Sequence, residues 1–135
     1  MKRLISIILF IGQIFLVQAQ EIQISQGAII TWQESKFDFG DIYQGDKLSH
    51  TFKFTNTGNL PLVITNVEVT CGCTTPKGWA RDPIPPGSEG EITVSFDSSA
   101  KFGKQNKVIK VTSNSVGTTN QVMISANVLE KQQPD

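Results

Sequence analysis

From Phe37 to Val69 the chain reads FDFGDIYQGDKLSHTFKFTNTGNLPLVITNVEV, and after Thr70 it reaches Cys71-Gly72-Cys73-Thr74, which holds its only two cysteines. Leu48, His50, Phe52 and Phe54 recur with a period of two, and Thr51, Lys53 and Thr55 fill the positions between them. Successive side chains of a strand point to opposite faces, so this pattern is that of a strand with one face on a core. The cluster Asn56-Thr57-Gly58-Asn59 then ends it with residues suited to turns.

The same period returns along the chain. Val63, Thr65, Val67 and Val69 follow Leu60-Pro61. After the loop through Pro83, Pro85, Pro86 and Gly87, Ile92, Val94 and Phe96 alternate with Glu91, Thr93, Ser95 and Asp97. Further strands are expected from Val108 to Thr112 and around Val122, Ile124, Ala126 and Val128. With Ile29 to Trp32 and Phe37 to Ile42 counted as a split or paired first strand, about seven strands result, the number expected of an all-β antiparallel sandwich. Phe52, Phe54, Val67, Ile92, Val94, Phe96, Val122 and Ile124 are the expected core.

The first nineteen residues have a different character. Lys2 and Arg3 precede an apolar run from Leu4 to Val17, and Val17-Gln18-Ala19 places small residues at the cleavage-determining positions. This predicts a secretory signal peptide over 1–19, a mature chain from Gln20, one domain over 20–130 and a polar tail over 131–135. Periplasmic or secreted localisation follows, with no stable membrane insertion after cleavage. The remainder carries ten basic against twelve acidic residues. Such balance gives no electrostatic reason to bind nucleic acid.

Catalytic patterns are missing. One histidine rules out a paired-histidine metalloprotease motif, and there is neither a Gly-x-Ser-x-Gly nucleophile turn nor a phosphate-cradling glycine loop. Asp38, Asp41 and Asp46 sit near Gly40 and Gly45, where side-chain acceptors cap turns. The chain is expected to be no enzyme and to need no cofactor.

Phe37-Asp38-Phe39-Gly40, Gly45, His50-Thr51-Phe52, Phe54-Thr55-Asn56-Thr57-Gly58, Pro61-Leu62, Cys71-Gly72-Cys73-Thr74, Pro76, Pro86-Gly87, Gly90 and Phe96-Asp97 together resemble the bacterial domain of unknown function 1573 family, common in secreted proteins of Bacteroidetes. The resemblance spans Phe37 to about Val128. It implies an immunoglobulin-like β-sandwich akin to hydin-type and major-sperm-protein-type domains, and no established activity.

Chemistry could sit at the cysteines. On a straight strand Cys71 and Cys73 would share a side with Cα atoms about 6.6 Å apart. A bridge prefers about 5.5 to 6 Å, so it needs a bend that Gly72 can supply. Packed thiols or a bridge, a Cu(I) or Zn(II) site on Cys71 and Cys73 with His50 or Met123 added, and thiol–disulfide exchange are the three readings of the pair. His50 shares a face with Phe52, which favours a satisfied core histidine over a ligand.

Trp79 and Arg81 lie in a turn-rich stretch read as a loop, where the indole either folds back on the sandwich or meets a ligand. The resulting expectation is a binding or structural module of the cell envelope. It would engage a protein or an envelope glycan through the loop from Pro76 to Pro86 or through a strand edge. A copper- or zinc-binding protein using Cys71 and Cys73 is the alternative.

Overall fold

The computed structural model describes residues 26–117 and 120–131. The expected signal peptide at 1–19 and most of the tail lie outside them. Among the described residues eight strands form two four-stranded sheets. They are β1 (Ile30–Trp32), β2 (Lys36–Tyr43), β3 (Lys47–Asn56), β4 (Ile64–Val69), β5 (Thr74–Trp79), β6 (Glu89–Asp97), β7 (Gly103–Ser113) and β8 (Gln121–Leu129). One sheet runs β1-β3-β6-β5 and the other β2-β8-β7-β4. No helix among the described residues is long and apolar enough to cross a membrane.

The alternation does what it must. Phe52, Phe54, Ile92, Val94 and Phe96 turn inward from one sheet, and Val67, Ile109, Val122, Ile124 and Val128 meet them from the other, all buried. All eight core residues expected from the alternation lie in this cluster. A buried Phe or Ile side chain contributes on the order of 1.5 to 3 kcal/mol, so this layer dominates the stability of the domain.

Four features depart from the alternation alone. Eight strands are present where about seven were expected, because the stretch read as a loop after Cys73 contains β5. Pro76 and Gly78 disguise it, yet an edge strand tolerates a residue without an N–H. The first strand is split between sheets: β1 pairs with β3 while β2 pairs with β8. That second ladder is parallel, so the sandwich is not wholly antiparallel. Finally, β4 carries a register irregularity between Ile64 and Asn66, which buries Ile64 in place of Val63.

One polar residue ties the end of the sandwich away from the cysteines. Asn56 is fully buried at the end of β3. Its Oδ1 accepts from the N–H groups of Ile29 (3.2 Å) and Gly58 (3.0 Å), and its Nδ2 donates to the carbonyls of Leu60 (2.8 Å) and Ile84 (2.9 Å). All four hydrogen-bonding positions of the amide are used, which removes the penalty of burying it.

Candidate functional site

The other end of the sandwich gathers three connections: the β2–β3 turn, the β6–β7 loop and the β4–β5 corner. The turn is closed by Asp46, whose N–H donates to the Tyr43 carbonyl (3.0 Å) and whose carboxylate accepts from the Tyr43 N–H (3.0 Å). Gly45 takes a φ of 96° within it, a conformation that side-chain-bearing residues rarely adopt. Ser98 is fully buried and clamps the turn. Its N–H donates to the Asp46 carbonyl (3.0 Å), and its hydroxyl faces the carbonyls of Tyr43 (3.1 Å) and Asp46 (2.8 Å). Gln44 Nε2 then donates to the Lys101 carbonyl (3.2 Å).

Two large aromatic side chains project from these tethered loops: Tyr43 is 54% exposed and Phe102 67%. Tyr43 ends β2 just before the Gln44-Gly45-Asp46 turn. The signal for Phe102 in the sequence is an aromatic alone among Lys101, Gly103 and Lys104, where no strand pattern claims it.

The β4–β5 corner carries the chain from one sheet to the other. Cys71 and Cys73 form a disulfide across Gly72 with their Cα atoms 5.3 Å apart, shorter than a straight strand allows. Thr74 N–H donates to the Cys71 carbonyl (3.1 Å), and Asp97 N–H donates to that of Cys73 (2.8 Å). Closing so small a ring removes little freedom from the unfolded chain, about 1.6 kcal/mol on the chain-entropy relation. An open cleft of about 390 Å³ lies beside the bridge, lined by Cys71, Gly72, Cys73, Asp97, Ser99, Ala100 and Lys101. The Asp97 carboxyl is held below its ordinary value, first by the Ser99 hydroxyl, then by the Ser99 N–H and the charge of Lys47.

The bridge changes the outlook for a soft-metal site. Bonded to each other, the sulfurs are not the thiolates that Cu(I) or Zn(II) takes, and no cluster of three or more His, Cys, Asp or Glu forms among the described residues. His50 is engaged elsewhere: its Nε2 is hydrogen-bonded to Glu34 Oε1 at 2.5 Å. Its ring stacks on Phe37 and meets Phe52 edge-on. This is the satisfied histidine that its parity suggested.

Trp79 closes β5 rather than standing in a loop. Its side chain packs against the core, and the Arg81 guanidinium covers the ring at 4.1 Å from the centroid. A cation over an indole face is worth roughly 0.5 to 1 kcal/mol at such a surface, so the pair is already engaged with itself. Trp32 likewise edges onto Phe54, with ring centroids 5.1 Å apart. Asp38 and Asp41 act on the backbone and on a neighbour. Asp38 accepts from the Gly40 N–H (2.8 Å) at the irregularity of β2, and Asp41 accepts from Asn127 Nδ2 (2.9 Å).

The sequence pattern of the family described as protein of unknown function (DUF1573) matches residues 30–128. No match was found among curated proteins. Among solved structures, a protein of unknown function from Porphyromonas gingivalis W83 superposes with a TM-score of 0.65 at 16% identity, over 77% of this chain and 48% of that one. The secreted serine protease VesC from Vibrio cholerae gives 0.60 at 15% identity, over 78% and 24%. The ASH / PapD-like domain 7 of human CEP192 gives 0.60 at 9% identity, over 78% and 89%. The chain thus spans about half and about a quarter of the first two, and at these identities the likeness is one of fold.

Proposed function

Given that the chain belongs to the DUF1573 family of proteins of unknown function, we propose that this immunoglobulin-like sandwich is an exported, non-catalytic docking module that binds a protein partner. The contact would be made through the end that presents Tyr43 and Phe102. The observation that carries this reading is the exposure of those two rings on loops fixed by Ser98 and Gln44. Protein interfaces are enriched in aromatic anchors with a polar rim, and anchors on rigid loops lose little freedom on binding. Lys47, Asp97 and Lys101 supply charges of both signs around them. Export is supported by Lys2, Arg3 and the apolar run to Val17, and a disulfide suits an oxidising compartment. In VesC a similar fold occupies a quarter of a secreted protein, which accords with a module that accompanies other functions.

A photo-crosslinking residue at position 102, compared with one at the exposed Leu60 of the opposite end, tests the reading in the native host. The expected result is a protein adduct at 102 that Tyr43→Ser weakens, with none at 60, on a mature chain whose mass begins at Gln20. Equal adducts at both ends, or retention on envelope glycan with no protein adduct, would overturn it.

A further inference from the structure

We propose that the Cys71–Cys73 bridge is a thiol–disulfide exchange site that accepts two electrons and two protons from an external dithiol. The inference needs only the corner and stands apart from the docking reading. The chain has no other cysteine, so the exchange partner is a second molecule.

Three observations carry it. Both cysteines are half-buried and line the open cleft at the corner, Cys73 with part of its surface against the core, so the bridge is approached from the cleft. The backbone bonds from Thr74 N–H to the Cys71 carbonyl and from Asp97 N–H to the Cys73 carbonyl hold the corner without help from the bridge. The reduced sulfurs therefore stay neighbours, and closing the ring again is an intramolecular step at high effective concentration. The two sulfurs also differ. The Cys73 N–H donates to Cys71 Sγ at 3.1 Å, and a donor aimed at sulfur stabilises negative charge on it. Asp97 and Lys101, of opposite charge, both line the cleft, so the difference between the sulfurs rests on that N–H. Cys71 is accordingly the better leaving group, and leaving groups that hold charge well depart faster.

The step balances as follows. A thiolate of the donor attacks Cys73 Sγ, a donor–Cys73 disulfide forms, and the Cys71–Cys73 bond breaks with its electron pair passing to Cys71. The donor's second thiolate then attacks the donor sulfur of that mixed disulfide and releases Cys73 as thiolate. Each released sulfur takes up, through water, one of the two protons the donor thiols gave up. The donor ends oxidised to its disulfide and the pair ends as a dithiol. Run in reverse, the dithiol reduces an external disulfide.

The test equilibrates the folded mature protein in graded mixtures of reduced and oxidised dithiothreitol, and separately of glutathione, followed by maleimide mass tagging and circular dichroism. The expected result is reversible conversion that tracks the buffer ratio while the strand signal stays unchanged. A bridge that opens only in denaturant, or one whose opening unfolds the domain, would overturn the proposal. In a second measurement, the thiol of Cys73→Ser should be alkylated by iodoacetamide at neutral pH several-fold faster than that of Cys71→Ser. Equal rates, or the reverse order, would overturn Cys71 as the leaving group.

Discussion

The imidazole of His50 lies flat on the ring of Phe37, 8° from parallel with centroids 3.7 Å apart, and so joins β3 of one sheet to the edge strand β2 of the other. Glu34, in the link between β1 and β2, fixes the imidazole from outside. The contact explains why a histidine occupies an inward position of a strand that is otherwise apolar there. One ring edge meets a carboxylate at the surface while the ring face serves the core.

His50→Ala should therefore lose both the stack and the hydrogen bond, lowering stability by about 1 to 3 kcal/mol. Glu34→Ala, which removes an exposed partner, should cost about 0.5 to 1 kcal/mol. Urea midpoints of the two single variants and the double variant measure the coupling. Strict additivity would show that the pair does not interact.

Phe52→Ala and Phe96→Ala empty the centre of the buried layer and should each cost about 3 to 5 kcal/mol. Thr51 and Thr93 face the other way, and their hydroxyls meet across the strands at 2.8 Å. Loss of either should cost only about 0.2 to 1 kcal/mol. Chemical denaturation separates the two sets, and equal effects would contradict the register of β3 against β6.

Two glycines are required by space rather than by conformation. A Cβ on Gly58 would lie 2.7 Å from Ile29 N and 2.8 Å from Ala28 Cα, which are backbone atoms that cannot turn aside. A Cβ on Gly90 would meet Ile84 Cδ1 at 2.8 Å and the ring of Phe54. Ala at either position should destabilise by about 1 to 3 kcal/mol, with Gly58→Ala the worse because a side chain can adjust and backbone cannot. Melting temperatures of the two variants check the order.

The Asp97 carboxyl titrates below its ordinary value of 3.8 because Ser99 donates to its ionised form. A depressed carboxyl favours the folded state above the unfolded value, and that contribution fades as pH falls through the lowered one. Ser99→Ala removes the hydroxyl donor and should move the Asp97 titration back up, as read by carboxyl carbon shifts in NMR. No movement would show that the Ser99 hydroxyl does not hold the charge.

The strands that alternate cleanly were legible in the sequence, since Phe52, Phe54, Ile92, Val94, Phe96, Val122 and Ile124 take their faces from periodicity alone. Where one extra residue breaks the period, as at Ile64, a local rule assigns the wrong neighbour to the core. β5 was hidden because Pro76 and Gly78 read as turn residues unless it is known that the strand lies at an edge. The partition of β1 and β2 between sheets depends on partners far along the chain, β3 more than twenty residues from β1 and β8 nearly ninety from β2, and the parallel ladder to β8 lies beyond any short window of sequence. At the candidate site the cysteines were visible from spacing. That Tyr43 and Phe102 share an end was not, because Ser98 and Gln44 set that proximity through contacts distant in sequence.

The parallel ladder between β2 and β8 gives the domain a mechanical direction. The chain enters β2 at Lys36, opposite Met123, and leaves β8 at Leu129, opposite Tyr43. Tension applied between the first strands and the last therefore pulls the two from opposite ends. The rungs between them are loaded together in shear instead of being unzipped one at a time, and rupture under force follows the rate of unfolding rather than equilibrium stability. A domain strung between two anchored neighbours would resist being drawn out along that line.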